Sequence, residues 1–472
     1  MVSSTLRARL GLFRRSSLQV VVPALMLGGL ACSSSEGPGG SSAAGSNAVT
    51  AGASGKANSV AGGSGGQLGV AGSAGAGTSG APSSSAGASS GGVGNSGGSS
   101  PSGGTAGTSG GTTAAGGGTA GAAQGGAAGG KNEPVDAQAL VKAMGFGTNI
   151  GNTLENTVTW ETGWSQPLIT QAFINGLATR GIKTVRVPVA WDTYAVNGVI
   201  ETAKMDRVKQ VVSWITGAGM YAIVNIHWDG GWINNEKGSP PFALTNDIKT
   251  KFANYWKQIG TAFSGVGHQL ILEGMNEEGS WTTDGMKYGP PNITPLNEMN
   301  QLFVTTARAQ GGYNATRALL IAGFNTDLEK TCVPAFTVPT DPAGAGKLLL
   351  SIHYYTPWTF TIKENNVDTP SQPVATTWGT ATEKKTLEDL FTKLGTCSTD
   401  KKIPIVLGEF AVTGGTAPFV REAASRVAWM TAVAKASKAR NIVPVLWDTG
   451  LEISRVDGKF SSTFQQVFDS VK

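Results

Sequence analysis

Glu277 and Glu409 are the two residues of this chain whose surroundings best suit them to do chemistry. Each closes an apolar run, in Leu272-Glu-Gly-Met-Asn-Glu277 and in Pro404-Ile-Val-Leu-Gly-Glu409. A pair of carboxyls suits the cleavage of a glycosidic bond. One, protonated, serves the leaving oxygen, and the other, ionised, meets the anomeric carbon. A separation of about 5 Å gives retention, whereas a wider gap admits water and gives inversion. Other apolar runs end in Asn149, Arg186, His227, His353-Tyr354-Tyr355 and Trp447. Taken singly, an arginine at a strand end pairs with a carboxylate and a tryptophan packs. So many polar and aromatic endings on successive runs are harder to assign to chance. Arg186 near Glu409 would favour its ionised form. The acid needs the opposite, a pKa raised by apolar surroundings or by its partner's charge.

Competing chemistries have little material. The chain holds three cysteines and three histidines, His227, His268 and His353, with no CxxC or HExxH pattern, so neither metal nor cofactor is expected. A formal net charge of +5, with no basic stripe interleaved with aromatics, gives no footprint for nucleic acid.

The elements that must position these residues recur along residues 133–472. β-rich runs lie at Met144–Ile150, Ile182–Val187, Tyr221–Ile226, Leu270–Met275, Leu319–Gly323, Leu348–His353, Ile403–Leu407 and Ile442–Leu446. Amphipathic helical patterns such as Met205–Thr216 and Ile248–Phe263 separate them. Strands alternating with helices imply parallel pairing through crossovers. Eight runs in one core fit a closed (β/α)₈ barrel, an α/β fold whose strand C-termini converge on one face. No GxGxxG or P-loop follows the early runs, which disfavours a nucleotide-binding sheet.

The N-terminal part has a different character. Arg7, Arg9, Arg14 and Arg15 precede an apolar run from Leu18 to Leu30, too short to span a membrane comfortably and flanked as in a signal peptide. Cys32 follows Gly29-Leu30-Ala31, which resembles a bacterial lipoprotein signal and makes Cys32 a candidate for lipidation. Ordinary signal-peptidase cleavage nearby is the alternative. Residues 1–31 are thus read as a leader and 32–132 as a tether. From Gly37 to Gly130 the chain is nearly all Gly, Ser, Ala and Thr, with Lys56 its only charge and no aromatic residue. Such a stretch cannot bury enough apolar surface to offset its ordering entropy. Export follows, with any membrane association confined to an N-terminal lipid anchor.

The motifs of the globular part resemble glycoside hydrolase family 5. They include Asn149-Ile-Gly-Asn-Thr-Leu-Glu155, Glu161-Thr-Gly-Trp164, Val185-Arg-Val-Pro-Val-Ala-Trp191 and Asn225-Ile-His-Trp-Asp-Gly-Gly-Trp232. His353-Tyr-Tyr-Thr-Pro357 and Leu446-Trp-Asp-Thr-Gly450 complete the set with the two glutamate strings. The resemblance spans Val135 to about Phe468 and implies a barrel with glutamates after strands four and seven. It implies Glu277 as acid/base and Glu409 as nucleophile. It further implies that Asn276 meets the sugar 2-hydroxyl, that Arg186 and Tyr355 hold the nucleophile, and that His227 and His353 line the subsite before the cleavage point. Trp447 would be the floor on which a pyranose stacks. Asn149 and Trp232 belong to the same expected site.

Two positions depart from the family. Glu278 stands where proline usually follows the acid/base, and Trp228 where many relatives have histidine. Adjacent residues in extended chain face opposite sides, so Glu277 and Glu278 should not both face the cleft. Glu273, inside a strand, needs a cationic partner and reads as support. Cys332 and Cys397 are equally well read as a disulfide or as buried thiols. Trp164, Trp191, Trp228, Trp232 and Trp358 are candidate sugar platforms, several of which must simply pack the barrel. The strings look like the endoglucanase branch, implying a monomeric hydrolase of β-1,4-linked glucans. The alternatives are a β-mannanase, a surface carbohydrate-binding protein on an inactive barrel, and a lipoprotein whose low-complexity arm is the working part.

Overall fold

The computed structural model describes residues 136–234, 243–279, 281, 293–367 and 369–472. The leader, Cys32 and the tether read from the sequence lie outside these residues.

Eight strands form a closed parallel barrel: β1 (Gly147–Asn149), β2 (Thr184–Val187), β3 (Tyr221–Asn225), β4 (Leu270–Glu273), β5 (Leu319–Ala322), β6 (Leu348–His353), β7 (Ile405–Glu409) and β8 (Val443–Leu446). Each strand pairs with its sequence neighbours, and β1 closes the ring on β8 through Gly147↔Val445 and Thr148↔Leu446. The expected (β/α)₈ architecture is what the chain adopts, and every expected run contributes a strand. Helix α1 (Ala137–Met144) precedes the barrel. Around it stand α2 (Gln171–Thr179), α3 (Thr202–Gly217), α4 (Asn246–Phe263), α5 (Thr294–Ala309), α6 (Ala381–Asp400), α7 (Ala423–Ala439) and α8 (Ser462–Asp469). After β5 the outer helix shrinks to one turn, Leu328–Thr331.

Strand alternation sorts side chains between two cores. Outward residues such as Val185, Val224, Leu272, Ile321 and Leu407 pack under the helices. Inward residues Ile223, Ile271, Leu320, Leu349, Val406 and Val443 form a second cluster with Ala137, Leu140, Val141 and Met144 of α1. α1 is therefore a plug for the lower end of the barrel. Met144, included in the first expected strand run, instead ends this helix, because its side chain is needed in the plug. Asp136 starts α1 by accepting from the Gln138 amide at 2.8 Å.

Two residues farther along the strands the interior turns polar. Asn225, Glu273, Ser351 and Gly408 follow Ile223, Ile271, Leu349 and Val406 at the period of two that keeps one face. α4 shows the outer layer's logic. Its residues Ile248, Phe252, Tyr255, Trp256, Ile259 and Phe263 make one buried stripe, and Thr245 caps the start by accepting from Ile248 N.

Cys332 and Cys397 are bonded, with Cα atoms 5.5 Å apart. The bridge fastens the segment after the one-turn helix to the last turn of α6, and it decides between the two readings of these cysteines.

Candidate active site

The polar layer is organised by Arg186, which points into the barrel from β2 and is fully buried. Its Nε donates to Glu273 Oε2 at 2.7 Å, Nη1 to Asn149 Oδ1 at 3.0 Å and Glu409 Oε1 at 2.7 Å, and Nη2 to Asn276 Oδ1 at 2.8 Å. Four side chains, from β1, from β4 with its end, and from β7, thus converge on one planar fork. Burial works against the guanidinium's charge, yet Glu273 and Glu409 hold its pKa above the ordinary value. Glu273 has its second oxygen occupied by Ser351 Oγ at 2.7 Å. It is a support for Arg186, as a carboxylate inside a strand requires.

Asn149 locks the layer from β1. Its Nδ2 donates to the carbonyls of Gly408 at 2.8 Å and Leu446 at 3.1 Å, joining β7 and β8. Arginine only donates, so the oxygens of Asn149 and Asn276 must face Arg186. The Asn276 amide nitrogen is then the end left for a further acceptor.

Glu409 lies at the end of β7, where the β6–β7 register shifts between Ile352 and His353 so that His353 pairs with Glu409. That irregularity is what brings Glu409 to the barrel axis. Its Oε2 accepts from the Tyr355 hydroxyl at 2.9 Å. Burial raises the Glu409 pKa, while His353, Arg186 and the Tyr355 hydrogen bond favour the carboxylate and Glu277 opposes it. Burial, and then the Glu409 charge, push the Tyr355 phenol well above its usual range, so its proton stays on.

Glu277 stands across the mouth, its carboxyl beside His353, with Oε1 2.7 Å from Nδ1. Burial pushes it up to about 7, against the charge of Arg186 and a hydrogen bond from Thr326. One carboxylate oxygen each from Glu277 and Glu409 and a ring nitrogen of His353 all lie within 4.8 Å of one another. Two carboxylates and an imidazole also have the make-up of a cation site. Here Arg186 already places fixed positive charge 2.7 Å from Glu409, which would repel a divalent ion.

His227 and Trp447 make the floor. Their rings stack, centroids 5.7 Å apart and planes within 7°. Burial, then Arg186 and His353, hold the His227 imidazole far below its usual pKa, so it is neutral. The Trp447 amide donates to Phe410 O at 3.0 Å. Gly151 allows the close approach, since a Cβ there would stand 3.0 Å from the indole and 2.8 Å from Asp448 O.

Asn149, Arg186, His227, Asn276, Glu277, His353, Tyr355, Glu409 and Trp447 are therefore brought together, and Trp232 is not. Its ring meets Tyr255 of α4 edge to face at 5.8 Å under the Lys251 ammonium, and no described contact joins it to the glutamates. Trp191 is packing, fully buried with Nε1 donating to Asn225 O. Glu278 is buried and outside the three-atom cluster.

Some contributors escaped sequence reasoning. Asp229 gathers the backbone amides of Trp191 and Thr193 and the Thr193 hydroxyl, tying the loop after β2 to the loop after β3. Asn325 and Thr326 meet Glu277 from the turn after β5. Their signal was a polar cluster after an apolar run, hidden by the intervening Phe324.

Comparison with known proteins agrees with this geometry. Residues 141–452 match the family model for cellulase, glycosyl hydrolase family 5. An endoglucanase A of Paenibacillus barcinonensis is 33% identical over 343 residues, covering 66% of this chain and 82% of that one. A xyloglucan-specific endo-beta-1,4-glucanase of Bacteroides ovatus is 32% identical over 337 residues, 66% of this chain and 64% of that one. Among solved structures, a GH5-4 broad-specificity endoglucanase from an uncultured bovine rumen ciliate superposes with a TM-score of 0.61 at 31% identity, covering 71% of this chain and 97% of that one. This chain therefore belongs to the cellulase family, glycosyl hydrolase family 5, and is a glycosidase.

Proposed function

We propose that the chain is a retaining endo-β-1,4-glucanase, with Glu277 as acid/base and Glu409 as nucleophile. The observation that carries this reading is the approach of the two carboxyls, with oxygens within 4.8 Å of one another. At that separation no water fits between sugar and nucleophile, and a covalent glycosyl-enzyme follows. Glu409, held by Arg186 and Tyr355, attacks the anomeric carbon while protonated Glu277 gives its proton to the leaving oxygen. Glu277 then takes a proton from the water that releases the sugar. Asn276 Nδ2 meets the 2-hydroxyl, and Trp447 carries the apolar face of the ring.

A linear or branched β-glucan is the substrate, supported by relatives named as endoglucanases and as a xyloglucan-specific endo-beta-1,4-glucanase. Residues 133–472 form the catalytic domain, which acts as a monomer. Residues 1–31 export it, and Cys32 with the tether to 132 hold it at the cell surface by a lipid anchor.

Sugar release from carboxymethylcellulose, lichenan, xyloglucan and galactomannan by wild type and Glu409→Gln tests the reading. The expected result is release from the glucans, lost by at least about 10³-fold in the variant, with polysaccharide binding retained. Wild-type rates from Glu409→Gln would overturn it, and preference for galactomannan would favour the mannanase alternative.

A further inference from the structure

Asn325 and Thr326, in the turn after β5, both have left-handed backbone, with φ of +50° and +49°. Asparagine tolerates that region, but a β-branched threonine rarely enters it. The turn is held there by its surroundings. Thr326 is buried, the Phe324 amide donates to Thr331 Oγ1 at 2.9 Å, and the Gly323 amide donates to Ser351 O at 3.1 Å.

This conformation aims the turn at residues 277–279. The Asn325 amide donates to the Glu278 carbonyl at 2.8 Å, and its Nδ2 donates to the Glu277 carbonyl at 3.0 Å. Gly279 packs so closely that a Cβ there would stand 2.9 Å from Asn325 N and 3.0 Å from the Phe324 ring. The Thr326 hydroxyl donates to Asn325 O at 2.7 Å, which helps to hold the turn.

We propose that Asn325 is a positioning residue for the acid/base carboxyl, pinning its main chain from a turn that the Thr326 hydroxyl helps to hold. The proposal rests on the assignment of Glu277 as acid/base. Two hydrogen bonds from one residue to the consecutive carbonyls of 277 and 278 fix where the Glu277 side chain leaves the main chain, and so where its carboxyl meets the leaving oxygen.

The test compares kcat/KM on lichenan with kcat/KM on 2,4-dinitrophenyl β-cellobioside, whose leaving group departs without protonation. Glu277→Ala is the control. It should lose lichenan activity far more than aryl-glycoside activity, and if both fall alike the acid/base assignment fails first. Asn325→Gly keeps the positive φ but removes the amide. It should slow lichenan cleavage about tenfold and leave the aryl glycoside within about twofold. With the control behaving as expected, unchanged lichenan activity or equal losses on both substrates in Asn325→Gly overturns the proposal.

Discussion

His353 Nδ1 stands 2.7 Å from Glu277 Oε1, in hydrogen-bond contact. Burial pushes the imidazole down to about 4, helped by Arg186 and opposed by Glu409, and pushes the Glu277 carboxyl up to about 7. Between those pH values the imidazole is neutral and the carboxyl protonated. Activity that needs a protonated Glu277 is present below about 7 and is lost as pH rises through that value. The rising limb belongs to Glu409, which must ionise before it can attack. A pH profile of kcat/KM on lichenan should therefore be bell-shaped with its descending limb near 7. In Glu277→Gln that limb should vanish from the residual hydrolysis of lichenan. A descending limb that survives the substitution would mean another group titrates there.

Gly408 carries no side chain where the barrel interior reaches the cleft, and His353 uses the space. A Cβ at 408 would stand 3.0 Å from His353 Nε2 and 3.0 Å from Ser351 Oγ. Gly408→Ala should push the imidazole off Glu277 and disturb the link from Ser351 to Glu273. A shift of about 1 Å in a reacting group costs on the order of 10²-fold, so kcat/KM should fall by about that much. The fold should survive, with circular dichroism unchanged at room temperature. Full activity in this variant would show that the ring has freedom the packing denies it.

Arg186→Lys keeps the charge and loses the fork. Four acceptors on Glu273, Asn149, Glu409 and Asn276 share this guanidinium, and an ammonium cannot reach them all. Leaving a buried carboxylate short of its cation costs about 3–5 kcal/mol. Chemical denaturation should show a loss of that order, and hydrolysis should fall with it because Glu409 and Asn276 lose their common anchor. A variant with wild-type stability would mean that water replaces the missing bonds.

The barrel was legible because its evidence is local. Eight short apolar runs and the periodic stripe of α4 announce themselves within a window of a few residues. Most of the site was legible for a related reason, since residues at strand ends must converge once the barrel closes. What could not be read depends on contacts made across the fold. Trp232 lies in the same motif as His227, yet it faces an outer helix. Met144 continues an apolar run yet belongs to a plug, because α1 starts at a cap that only the backbone reveals. Asp229 and Asn325 act by receiving or donating main-chain hydrogen bonds, which leave no periodic trace. The pairing of Cys332 with Cys397 required their distance.

That disulfide should act on stability and not on chemistry. It spans 65 residues, from the segment after β5 to the last turn of α6, while the reacting groups sit at the strand ends. Closing a loop of this length removes about 4 kcal/mol of unfolded-chain entropy at room temperature, in a model that neglects native strain and residual structure. The Cys332→Ser/Cys397→Ser protein should therefore unfold at lower denaturant, with a loss of about 2–4 kcal/mol. The outer connection after β5 holds only one helical turn, but Phe324, Leu328 and Phe336 anchor it in the core, so the loss should fall short of the full entropy. Hydrolysis of lichenan by the folded variant at 25 °C should match wild type, because neither cysteine touches Asn325, Thr326 or the glutamates. A large fall in kcat/KM without a fall in stability would show instead that the bridge sets the geometry of the β5 turn.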